Sequence, residues 1–331
     1  MLAEIILHIG SEKTGSTTIQ SFLASNRANL LSQQIIVPKS LGKNHYRLPI
    51  VAKELTICSD KEKYADAEHV KSLLEREVER SMNYGATRLV LSSELIHARL
   101  CAEDDIANLM SLLPSSYLTT VIWYVRRQDR AALSLYSTWL KSGHFGQFSY
   151  PDLNHKALPY RFDYWKAYQL WAKVVGANRI NTIVYDDVEV RQDLIRNFCL
   201  VAGIRWCNDF MIPDKENTSL DLNGLYLMSL FSKYNSENNH PPGHMKKLKE
   251  FISERFCNGK RLKPDRDSAL RFYRHFSDVN ESLRSACFTD RDALFDHDFS
   301  SYPIGKEVPE IDHELVIANL LHYIGEIERG E

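Results

Sequence analysis

The sequence predicts an α/β protein: a doubly wound, mainly parallel central sheet of four to five strands flanked by helices, with a helix-rich C-terminal portion. Three observations carry this. Short apolar, β-branched runs alternate with stretches of helical period through roughly the first two hundred residues, the pattern of a parallel sheet. The first run ends in a glycine-punctuated turn that opens a helix, which is where doubly wound sheets bind ligands. From about residue 218 the strand-like runs cease, and a helical pattern continues, broken at Pro241-Pro242-Gly243 and Lys263-Pro264.

Taken in order, Ile5-Ile6-Leu7 reads as a short buried strand. The turn follows, then a helix over 19–31 with Ile19, Phe22, Leu23, Leu30 and Leu31 in register. Ile35-Ile36-Val37 is a strand stopped by Pro38, and a polar connection covers 41–48. Residues 65–84 form an amphipathic helix ended by Gly85. The strand at 88–91 runs into Ser92-Ser93-Glu94, and a helix over 102–113 stops at Pro114. Residues 118–125, LTTVIWYV, are the most strand-like of all. A helix covers 129–142, and the Gly-, Pro- and aromatic-rich stretch 143–160 reads as a loop or lid. Helix 162–175, strand 179–184 and helix 188–202, closed by Gly203, complete the unit. The expectation is one domain over 1–331, with an α/β core at 1–205 and a helical portion at 206–331.

Composition narrows the function classes. Hydrophobic content of 44% and charged content of 25% are ordinary for a globular protein. A net charge of -2 gives no global pull towards nucleic acid or an anionic membrane, so any anion site must be a local concentration of positive charge. The six cysteines never form C-x-x-C, which argues against a metal framework or dense disulfides and fits a reducing compartment. The N-terminal apolar run is interrupted by Glu4 and His8 and reads as a core strand rather than a leader. No stretch approaches a membrane-spanning length. Taken as complete, the chain is expected in the cytoplasm; no nucleic-acid partner is indicated, and the oligomeric state is open.

The turn is the centre of the reading. In IILHIGSEKTGSTTIQ, Gly10 and Gly15 punctuate the chain, and Lys13, Thr14, Ser16, Thr17 and Thr18 lie around them. A strand, such a turn and a helix N-terminus aim backbone N–H groups and positive potential at one point, which makes an anion site. The nucleotide loop GxxxxGK[ST] has the same glycine separation, but its lysine follows the second glycine, whereas here that position is Ser16 and the lysine is Lys13. A kinase needs its lysine on the β- and γ-phosphates and its hydroxyl on Mg²⁺, so the displacement counts against that chemistry.

The order K-T-G-S-T-T after a strand resembles the 5′-phosphosulfate loop of the sulfotransferases that use 3′-phosphoadenosine 5′-phosphosulfate (PAPS). A second block, VIWYVRRQDRAALSLYS at 121–137, resembles the family's 3′-phosphate clamp: Arg126 at a strand end and Ser134 eight residues on, inside a helix. A guanidinium and one hydroxyl suit a phosphate. Read without the loop, Arg126 and Arg127 would instead be surface ion-pair partners of Asp129. More weakly, FCNGKR at 256–261 and ALRFYRHFSDVNESL at 269–283 look like the late loop and helix of glycan-type sulfotransferases, with Lys260 and Arg261 closing over the 3′-phosphate. A solvated basic loop explains them equally well.

The resemblance implies a P-loop-like fold and an in-line displacement at sulfur. An acceptor hydroxyl or amine attacks and 3′-phosphoadenosine 5′-phosphate (PAP) leaves, with no metal required. Lys13 would neutralise the leaving oxygen, while the turn and its hydroxyls hold the 5′-phosphate. Glu94, at a strand end where glycan-type members use a glutamate, is the first candidate base; the alternatives are a helix cap or a pair with Arg99. His45, in Gly42-Lys43-Asn44-His45, is the second, and His8 reads as a core residue. The acceptor, a carbohydrate, glycolipid or small metabolite, would meet 39–48, 143–160 and 236–247, with Phe145, Phe148, Tyr150 and Tyr160 available for stacking. The rival readings are a P-loop small-molecule or nucleotide kinase and a non-catalytic PAP-binding protein on the same fold.

Overall fold

The structure is a computed structural model and describes residues 1–57, 61–154, 158–213, 219–239, 246–305 and 310–329. Its five strands are β1 (Glu4–Gly10), β2 (Ile35–Ile36), β3 (Arg88–Ser92), β4 (Thr119–Val125) and β5 (Ile180–Val184). They form one sheet in the order β2-β3-β1-β4-β5, and every pairing is parallel. This is the doubly wound α/β sheet that the alternating runs predict. Both faces are covered, so the strands are apolar almost throughout rather than alternating. The chain lays β2 and β3 on one side of β1 and then crosses to place β4 and β5 on the other. Connections diverge at β1, which makes its C-terminal end the switch point where such sheets open a crevice.

The chain divides into two compact units, Met1–Arg127 with Asp152–Asp214 and Phe276–Asp296, and Gln128–Pro151 with Lys215–His275 and His297–Glu331. The first contains the sheet. On one face Ile6, Val90 and Ile122 meet Ile19, Phe22 and Phe198 from helices Ser16–Ser25 and Leu194–Val201. Each such side chain, fully buried, contributes about 1.5–3 kcal/mol. The second unit is helical. Gln128–Lys141, Leu222–Glu237, Lys246–Arg255 and His313–Arg329 enclose Leu140, Met228, Phe231, Ile252 and Phe256. Asp221 caps the second of these helices, accepting from Gly224 N at 2.9 Å with one oxygen and from Gly259 N at 2.9 Å with the other. No helix among the described residues is long and apolar enough to cross a membrane.

Three local expectations change. The helix over 19–31 is two helices, Ser16–Ser25 and Arg27–Ser32. They part at Asn26, whose amide donates to Phe22 O and Met211 O and accepts from Met211 N, each at 2.8 Å. The helix over 188–202 likewise splits, because Asp193 caps Leu194–Val201 by accepting from Arg196 N at 3.0 Å. The connection at 41–48 leads into a helix, Arg47–Ile57, which buries Leu48, Val51 and Ala52; Pro49 is tolerated in its first turn.

A chain of buried polar groups joins β1 and β3 to the 38–45 connection. His8 Nδ1 lies 2.7 Å from Ser92 Oγ, Ser92 N donates to His45 Nδ1 at 2.9 Å, and His45 Nε2 donates to Pro38 O at 3.2 Å. His8 is therefore the core residue its strand position suggests. Burial holds its pKa down to about 3.

Candidate active site

The turn after β1 is held open by its own polar groups. Ser11 N donates to Tyr124 O at 3.0 Å, Thr14 Oγ1 to Ser11 O at 2.7 Å, and Trp123 Nε1 to Ser11 Oγ at 3.1 Å. Gly10, Lys13 and Gly15 take left-handed φ values of 82°, 67° and 78°. For Lys13 that backbone costs about 1–2 kcal/mol, which the surrounding structure must offset. Helix Ser16–Ser25 starts directly after Gly15, and its first turn carries no acidic side chain. Among the described residues, no protein acceptor takes the N–H groups of Gly15, Ser16, Thr17 or Thr18. Four converging donors at a helix N-terminus suit an anion. Of the hydroxyl series, Thr14 and Ser16 are buried and bond back to Ser11 O, while Thr17 and Thr18 are half-exposed.

Glu94 stands at the end of β3, as the first residue of helix Glu94–Arg99. It reaches the loop because Gly10 has no side chain: a Cβ there would lie 2.7 Å from Glu94 Cα and 2.9 Å from its Cβ. The half-buried carboxylate accepts from Gln20 Nε2 at 2.6 Å, so its ordering comes from the loop helix and not from Arg99, which is exposed. The arrangement puts a carboxylate, a lysine-bearing turn and a row of amides at one sheet edge.

Arg126 ends β4 on the other side of β1. One guanidinium nitrogen donates to Lys13 O at 3.0 Å, its Nε lies 3.4 Å from Asp186 Oδ1, and the group sits over the Tyr185 ring at 5.3 Å. Its own carbonyl accepts from Tyr164 OH at 2.7 Å. It braces the turn at the residue with the strained backbone. Arg127, by contrast, is fully buried and pairs with Asp296 at 2.6 Å, and Asp129 accepts from Tyr302 OH at 2.6 Å, so neither is a surface ion-pair partner.

His45 packs against the end of β3. It is 1% exposed, both ring nitrogens are engaged by Ser92 N and Pro38 O, and burial lowers its pKa to about 4. With neither nitrogen presented outward, it fits a strut between the 38–45 connection and β3 better than a proton acceptor.

Ser134, Lys260 and Arg261 belong to the second unit. Ser134 is half-buried on helix Gln128–Lys141. Lys260 is 81% exposed, 3.8 Å from Glu310, whereas Arg261 donates to Ser219 O and Cys257 O and so holds its own loop. Phe148 and Tyr150 pack on each other at 5.0 Å, with Tyr150 stacked on Phe272 at 4.7 Å, while Phe145 is half-exposed. Tyr160 is buried and donates to Leu100 O at 2.8 Å. Of the acceptor segments named from the sequence, 155–157 and 240–245 lie outside the described residues.

The sequence reading missed Glu12 and Arg161. Glu12, inside the loop motif itself, lies 3.1 Å from Arg161 at the end of the short helix Leu158–Phe162. Burial raises the Glu12 pKa; Arg161 opposes that shift, Glu94 adds to it, and Lys13 and Arg99 oppose it. An acidic residue between Gly10 and Lys13 was the visible signal; its partner was not visible.

No family model matches the chain, and no curated protein does. Among solved structures it is similar to a sulfotransferase from Alicyclobacillus acidocaldarius, with 14% identity, TM-score 0.38, and 74% of this chain and 95% of that one covered. It is also similar to the sulfotransferase domain of the Synechococcus PCC 7002 olefin synthase (13% identity, TM-score 0.34, covering 83% and 94%). A third is the sulfotransferase domain of the curacin biosynthetic pathway (16%, 0.31, covering 63% and 76%).

Proposed function

We propose that the chain is a sulfotransferase that moves a sulfuryl group from PAPS to a hydroxyl or amine of a carbohydrate, glycolipid or small metabolite. The observation that carries the reading is the loop: a left-handed Lys13 before a helix whose first amides meet no protein acceptor, with Glu94 packed against Gly10. Its donor set, all amide, hydroxyl and ammonium, fits a phosphosulfate.

When bound, PAPS supplies the sulfuryl group and a 5′-phosphate leaving group. The amides of Gly15 to Thr18 bind the 5′-phosphate, with the Thr17 and Thr18 hydroxyls beside them. Lys13 places its ammonium where negative charge develops on the leaving oxygen, a preorganised stabilisation that needs no rearrangement during the step. Glu94 accepts the proton of the acceptor hydroxyl as the new O–S bond forms and the old one breaks. Gln20 keeps the Glu94 carboxylate in one orientation. Arg126 serves the 3′-phosphate and braces the turn. Ser134, Lys260 and Arg261 enter on the sequence resemblance alone.

The test is a thermal-shift titration with PAP beside ATP–Mg²⁺, since a ligand that binds only the native state raises the melting temperature. Stabilisation by PAP, absent with ATP–Mg²⁺ and lost in Arg126→Ala, is the expected result. Stabilisation by ATP–Mg²⁺ alone would move the chain to the kinases.

A further inference from the structure

A carboxylate inside an anion-binding loop is a physical contradiction unless something cancels its charge. Glu12 is that carboxylate: it lies two residues after Gly10, next to Lys13, with its side chain only 20% exposed. Left ionised and alone, it would repel the phosphate that the neighbouring amides attract. Among the described residues the Arg161 guanidinium, at 3.1 Å, is the counter-charge in ion-pair contact with it, and Lys13 and Arg99 act from farther off.

The backbone that carries Arg161 is tied down on both sides of it. Its carbonyl accepts from the buried His97 Nε2 at 3.3 Å. The residue before it, Tyr160, donates to Leu100 O at 2.8 Å, and Tyr164 donates to Arg126 O at 2.7 Å. Tyr160 to Tyr164 is thus tied at three points to the helix that carries Glu94 and to the end of β4. Glu12 tethers the turn to that fixed post from one side, while Arg126 holds the Lys13 carbonyl from the other.

We propose that Glu12 and Arg161 are a positioning pair: Arg161 cancels the loop's carboxylate and, through Glu12, keeps the turn aimed at its anion. The inference rests on the loop being the anion site of the proposed sulfotransferase. Neither residue touches the reacting atoms. Burial, which raises the Glu12 pKa, makes an unpartnered carboxylate at this point costlier still.

The pair has a signature that a general structural role lacks. Arg161→Ala takes away the carboxylate's ion-pair partner and weakens PAP binding by about tenfold or more, whereas adding Glu12→Gln removes the offending charge and restores affinity to within about threefold of wild type. The experiment is isothermal titration of PAP into wild type, Arg161→Ala, Glu12→Gln and the double variant. Arg161→Lys is the variant that keeps the charge if the alanine protein does not fold, and it is expected to bind better than Arg161→Ala or, failing that comparison, near wild type. Recovery in the double variant supports the pair. Additive losses, or Arg161→Ala binding like wild type, overturn it. If wild type ignores PAP, the sulfotransferase reading fails, and the same four proteins are titrated with inorganic pyrophosphate. Recovery there still supports the pair, whereas no anion binding at all overturns both.

Discussion

Acidification tests the buried polar interior most directly. His8, His45 and His97 are each no more than 1% exposed, and burial holds their pKa values at about 3, 4 and 4, against 6.5 for a free side chain. The unfolded chain takes up protons as pH falls through 6.5, and the folded chain cannot follow until far lower. The stability from these groups is therefore complete above 6.5 and is lost progressively below it. At pH 5, about 1.5 units under the free value, each histidine costs about 2 kcal/mol at about 1.36 kcal/mol per unit, and the three together about 6. A domain's net stability is about 5–15 kcal/mol, so this loss takes a large share of it and the urea midpoint should fall clearly by pH 5. Glu77, whose carboxylate accepts from Lys39 N and Ser40 N and whose pKa is lowered, loses its contribution in the same direction; Glu12, with its raised pKa, opposes it. The assay is urea unfolding at a series of pH values, with histidine ring protons followed by NMR. A urea midpoint unchanged between about pH 7 and 5, or three histidines titrating near 6.5, would refute the reasoning.

Further outcomes follow from single contacts. Gly10→Ala forces a methyl onto Glu94 at a φ of 82° and should cost about 2–4 kcal/mol in urea unfolding; a loss under about 0.5 would show that the close approach does not matter. Asp221→Ala removes the acceptor for both Gly224 N and Gly259 N and should lower stability by about 2 kcal/mol, measured by thermal unfolding. Arg126→Ala should weaken PAP binding by at least about tenfold, and Arg126→Lys should not restore it. The guanidinium holds Lys13 O and faces Asp186 and Tyr185 at once, which an ammonium cannot reproduce.

The sheet was legible because its information is local. Ile5-Ile6-Leu7 and LTTVIWYV are apolar and β-branched in a way no amphipathic helix tolerates, and the glycine spacing in the loop reports backbone conformation directly. What escaped depends on partners distant in sequence. Asn26 breaks a helix because Met211, 185 residues away, takes its amide. His45 reads as an exposed loop histidine until β3 folds beside it and Ser92 N closes on its ring. Phe148 and Tyr150 look like a stacking surface for an acceptor, yet each has an aromatic neighbour already. Glu94 lay between: its place after a strand was readable, but not the glycine that lets it reach the loop.

The central position of β1 has a consequence in time as well as in space. Like β4, it is paired along five positions on each side, here with β3 and with β4, so its amides open only when its neighbours on both sides part. A few residues later the chain enters the turn, whose amides at Gly15 to Thr18 have no partner to lose. In deuterated solvent a slow clock and a fast one therefore stand close together in this unit, one ending near Ile9 and the other starting at Gly15. A ligand arriving at the turn would slow the second clock and leave the first untouched, which lets occupancy be read without any knowledge of the acceptor.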